Sequence, residues 1–113
     1  MLIEIRNPAA PDDVVATFQE TPVEALDDLV ARTRMAQLEW AAMPQPARGA
    51  LVTKFIDALE ARADVIALSI TKEMGKPLTE ARGEVAKAVG EARATVARAG
   101  APIGELFPSQ VPG

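Results

Sequence analysis

The side chains that carry most covalent and metal chemistry are missing from this sequence. Among its 113 residues there is no Cys and no His. That removes thiol nucleophiles, imidazole bases and nearly all zinc or transition-metal ligand sets. Carboxylates, hydroxyls and cations remain. Asp57, Glu60 and Asp64 are spaced so that they can share a helix face, and so are Glu80, Glu84 and Glu91. Such clusters can bind a hard cation or act as a paired acid and base. Both, however, are interleaved with Lys54, Arg62, Lys87 and Arg93, the alternating charge of an ordinary solvated helix. That surface reading is adopted for them, and Asp12-Asp13 and Asp27-Asp28 read as turn and helix-start residues.

The other candidates reduce in the same way. Ser69 and Ser109 are the only serines, and neither has an imidazole to activate it. Gly75-Lys76 resembles the end of a phosphate loop, but Ile70 stands where the first Gly belongs and Pro77 where Ser or Thr belongs. A helix cap followed by a breaker explains the pair better. Gly100 and Gly104 have the wrong spacing for a dinucleotide fingerprint. Arg48, Lys72 and Lys76 are scattered single cations, and Trp40 continues an apolar helix stripe as a core anchor. No residue is assigned a catalytic, cofactor-binding or metal-binding role.

Composition agrees. Twelve cations against sixteen anions leave a net charge of −4, and no basic patch emerges for nucleic acid. Residues 1–43 carry −5 (3 against 8) and residues 44–113 carry +1 (9 against 8). Apolar residues make up 49% of the chain, but 22 of those residues are Ala. Leu, Ile, Val and Phe number only 28, so the core is thin for an independent domain. The longest apolar runs, such as Val65–Leu68, fall far short of the ~20 residues that span a bilayer. Glu4 and Arg6 interrupt the N-terminal apolar stretch, so it is no signal peptide, and the expected compartment is the cytoplasm.

The elements that must hold these residues can be read in order. Leu2 to Arg6 alternate, with Ile3 and Ile5 on one face, and Val14–Phe18 reads as a second strand. Together they predict a hairpin over 1–20 with a long loop through Asn7, Pro8, Pro11, Asp12 and Asp13. Thr21, Pro22 and Glu24 form a predicted capping box opening a helix with the stripe Leu26, Leu29, Val30, Thr33, Gln37 and Trp40. Asp28 and Arg32 pair one turn apart on it, and Pro44 and Pro46 end it. A stripe from Leu51 through Phe55, Ile56, Leu59, Ala63, Ile66 and Ile70 to Met74 is one helix or two, with Asp64 permitting a break and Gly75 as left-handed cap. Leu78, Ala81, Val85, Val89, Ala92, Val96 and Ala99 predict a last helix of small side chains, with Gly83 and Gly90 inside it. Its thin stripe predicts that this helix needs cover from something larger. Helices thus fill 21–99, and Gly100 to Gly113, with three Gly and three Pro, forms an irregular tail. The fold class expected is a mainly helical α+β fragment, a two-stranded hairpin followed by three or four helices.

The order of residues carries a resemblance. Asn7-Pro8-Ala9, Asp13-Val14-Val15-Ala16, Glu39-Trp40-Ala41, Pro46-Ala47-Arg48 and Leu59-Glu60-Ala61-Arg62-Ala63-Asp64 are similar to the start of NAD(P)-dependent aldehyde dehydrogenases. TKEMGKPLTEARGEV at 71–85 is the strongest match, and Gly104-Glu105, Pro108-Ser109 and Pro112-Gly113 resemble the segment that follows. The chain departs from the family over Ala92 to Ala101, where Ala, Val and Gly replace aromatic residues.

The resemblance implies that residues 1–113 are the N-terminal, incomplete portion of a Rossmann-type cofactor-binding domain. It implies NAD or NADP in the intact enzyme, none bound by this segment alone, and oxidation of an aldehyde or semialdehyde to a carboxylic acid. That chemistry runs through a hemithioacetal at Cys, hydride transfer and thioester hydrolysis. The nucleophilic Cys, the general-base Glu, the oxyanion-holding Asn and the cofactor loops all come later in the family, and none has a counterpart here. The wording around Asp12-Asp13-Val14-Val15 is similar to members acting on semialdehydes of sugar-acid or amino-acid catabolism. The implied partner is the remainder of the dehydrogenase chain, with homo-oligomerisation of the intact enzyme and no nucleic acid or membrane. The alternative is a stand-alone, non-catalytic helical interaction module derived from that family.

Overall fold

The computed structural model describes residues 1–102, 104, 107 and 108. Two strands, β1 (Leu2–Asn7) and β2 (Ala10–Gln19), form an antiparallel hairpin. A 3-10 turn at Val23–Ala25 leads into α1 (Leu26–Ala42), followed by α2 (Gln45–Glu60), α3 (Ala63–Met74) and α4 (Leu78–Arg98). The α+β, mainly helical class expected from the sequence is what the structure has. No helix among the described residues is long and apolar enough to cross a membrane.

The hairpin differs from expectation in its turn. Pro8 and Ala9 alone connect the strands, and β2 begins four residues before Val14. Neither Pro8 nor Ala9 has positive φ, so the turn is not of the primed type that matches strand twist. The register is accordingly irregular near it: Ile5 faces Ala16, Arg6 faces Val14 and Asn7 faces Ala10. Side chains tie down the irregular stretch. The Ala9 N–H donates to Asn7 Oδ1 at 3.0 Å, Asn7 Nδ2 donates to Asp13 Oδ2 at 3.2 Å, and Arg6 Nη1 donates to the Pro11 carbonyl at 3.0 Å. Ile3 and Ile5 are half-buried, and the hairpin rests on α3.

The predicted capping box is not made. Pro22, extended at ψ 144°, is itself the residue preceding the first turn, and the Ala25 N–H donates to its carbonyl at 3.0 Å. Thr21 therefore lies one residue too early, and no side chain caps either the 3-10 turn or α1. Asp27 and Asp28 still favour the start of α1 through the helix dipole. Asp28 and Arg32 do not form an ion pair. Met43 and Pro44 end α1, but Pro46 sits in the first turn of α2 instead of stopping a helix.

The long stripe resolves into two helices, broken at Ala61-Arg62. Arg62, not Asp64, precedes α3, and Asp64 lies in its first turn. Gly75 is the left-handed cap expected, at φ 74° and ψ 12°, with its N–H donating to the Thr71 carbonyl at 2.9 Å. The core sits where α4 crosses α2 and α3. Ala67 and Ala81 are fully buried, with Ile56, Val85 and Val89 close to it. Leu59, Ala63, Ile66, Ile70 and Leu78 pack round the centre of that core. Leu51, Phe55 and Met74 of the predicted stripe are exposed.

The element left without cover is therefore not α4. Its small side chains already let α2 and α3 approach closely, and Gly49 sits near Val96, 3.7 Å from where a Cβ would stand. The uncovered element is α1, which has no buried residue. Trp40, expected as a core anchor, is exposed, and Leu26, Leu29 and Val30 are exposed with it. The whole chain exposes 9261 Å² with a radius of gyration of 20.7 Å. A compact protein of its 11.9 kDa exposes about 6,000 Å² and has a radius of about 13 Å. Beyond α4, the described residues 99–102, 104, 107 and 108 lie in no helix or strand. The rest of the irregular tail expected over 100–113 lies outside the described residues.

Candidate functional site

The charged clusters singled out in the sequence are structural ties between helices. Asp57 and Glu60 project from α2 toward α4. There Arg93 Nη2 donates to Asp57 Oδ1 at 2.8 Å and to Glu60 Oε2 at 2.6 Å. These bonds, Glu60 first, raise the pKa of Arg93 above its ordinary value and keep it charged. Asp64 on α3 accepts from Arg82 Nε at 2.9 Å. Lys76, in the α3–α4 turn, donates to Glu84, and this bond raises its pKa despite some desolvation. Glu91 pairs with Lys87 one turn away on α4 at 3.6 Å. All these carboxylates are exposed, so each pair contributes modestly, on the order of 0–1 kcal/mol for such surface contacts. The missed feature is Arg93. In sequence it is one more interleaved cation, and only the crossing of α4 over α2 gives it two partners.

The remaining candidates are not brought together. Ser69 and Lys72 are exposed on α3. Arg48 donates to the Trp40 carbonyl at 3.5 Å, tying the end of α1 to the start of α2. The Glu80 side chain makes no hydrogen bond or ion pair among the described residues, while its backbone N–H donates to the Pro77 carbonyl at 3.0 Å. Ser109 lies outside the described residues. No group of three or more carboxylates that could hold a metal occurs among the described residues. Among the described residues no polar residue is buried, and the one buried side-chain polar atom without a partner is Thr71 Oγ1 on α3. Thr33, Thr53 and Thr95 instead donate to the carbonyl four residues back.

Surface concavities are open and mainly apolar. One, of about 420 Å³, lies on α2 and α3 between Phe55, Ala58, Leu59, Arg62 and Ile66. Another, of about 330 Å³, lies between α3 and α4 beside Asp64 and Arg82. Gly75 closes a helix, and Lys76, Arg82 and Arg93 are engaged by carboxylates. The arrangement can pack and orient helices.

Comparison with known proteins gives the context for this scaffold. The model of the aldehyde dehydrogenase family matches residues 1–113. The chain is 31% identical over 108 residues to alpha-ketoglutaric semialdehyde dehydrogenase of Bacillus subtilis, covering 96% of this chain and 22% of that protein. It is 40% identical over 81 residues to N-succinylglutamate 5-semialdehyde dehydrogenase of Burkholderia orbicola, covering 72% of this chain and 16% of that protein. It is 31% identical over 104 residues to alpha-aminoadipic semialdehyde dehydrogenase of Bos taurus, covering 92% of this chain and 19% of that protein. The chain thus spans about a fifth of the length of these relatives. With the whole sequence inside the family match, the chain belongs to the aldehyde dehydrogenase family.

Proposed function

We propose that residues 1–113 are the N-terminal, incomplete portion of the cofactor-binding domain of an aldehyde dehydrogenase. In this reading the intact enzyme oxidises a semialdehyde to a carboxylic acid with NAD or NADP. The observation that carries it is the family match across the whole chain. The relatives named above are all semialdehyde dehydrogenases, which supports the substrate class.

The role of this segment is structural. It supplies a hairpin, an uncovered helix and a three-helix pack on which the remainder of a dehydrogenase chain closes. By itself the segment is catalytically silent, because no thiol exists to form the hemithioacetal. The test is direct. The purified 113-residue chain, given semialdehydes and NAD or NADP, should produce no reduced cofactor above the blank. Co-expressed with a relative's chain lacking its own equivalent residues, it should restore turnover. Reduced cofactor formed by the chain alone refutes the structural role, and failure to complement refutes the assignment as this segment.

A further inference from the structure

We draw no further inference here: the strongest candidate, the apolar groove on α2 and α3 between Phe55, Ala58, Leu59, Arg62 and Ile66, carries nothing beyond the role proposed above, because nothing in the structure shows what covers it.

Discussion

Replacing Gly75 by Ala perturbs two things that can be separated. Gly75 holds φ at +74°, a conformation that disfavours any Cβ by about 1–2 kcal/mol. An added Cβ there would also stand 3.0 Å from Pro8 Cγ, at the hairpin turn, and 3.9 Å from Pro8 Cβ. The first distance is too short for carbon–carbon contact, so the ring must shift, at a further cost of about 1 kcal/mol by analogy with mild overpacking. Gly75→Ala should therefore destabilise by about 2–3 kcal/mol. In a Pro8→Ala background the offending Cγ is gone and only the ordinary 3.9 Å contact remains. The cost should then fall to the backbone part alone. A double-mutant cycle from urea unfolding, followed by far-ultraviolet circular dichroism, reads the difference as a coupling of about 1 kcal/mol. Faster amide exchange at Ile3 and Ile5 in Gly75→Ala should show that the hairpin has loosened from α3. Equal costs in the two backgrounds would refute the contact between the hairpin turn and the α3–α4 turn, and no cost in either would refute the left-handed cap.

Three further outcomes are expected. Gly83→Ala and Gly90→Ala place a methyl in open space inside α4, so each should stabilise the chain by about 0.5–1 kcal/mol, seen as a higher urea midpoint. Thr21→Ala should leave that midpoint unchanged, because the Thr21 side chain caps nothing; a loss of about 1 kcal/mol would restore the capping box. The Lys76 ammonium, held by Glu84, should titrate above its ordinary value near 10.5 when followed by carbon NMR at Cε, and Glu84→Gln should return it toward that value. A raised cationic pKa stabilises the fold fully below the unfolded value and loses that contribution as pH rises through the folded one. The contribution of the Lys76 ammonium to the tie between the α3–α4 turn and α4 should therefore be lost in strong alkali.

Much of this molecule is local and therefore written in the residues themselves. The alternation of Ile3 and Ile5 sets the half-buried face of β1. Gly75 before Lys76-Pro77 can only close a helix, because the positive φ, the missing Cβ and the proline all act within a few residues. The spacing of Ala81, Val85 and Val89 selects the face that α4 buries. The lack of Cys and His removes thiol nucleophiles and imidazole bases before any coordinate is needed. Even the family is legible this way, since its signature is an order of short motifs.

What tertiary structure decided depends on which surfaces meet. Capping failed to form at Thr21 because Pro22 took the extended position one residue later, a choice between two locally acceptable registers. The tight turn at Pro8-Ala9 exists because Asn7, Asp13 and Arg6 supply bonds where the strand ladder is irregular, and sequence spacing alone favoured a longer loop. Arg93 joins Asp57 and Glu60 across more than thirty residues, a relation that has no periodicity to betray it. Trp40 shows the limit most clearly. A helical stripe says which side chains would be buried together, but burial needs a second surface, and the described chain provides one for α4 and none for α1.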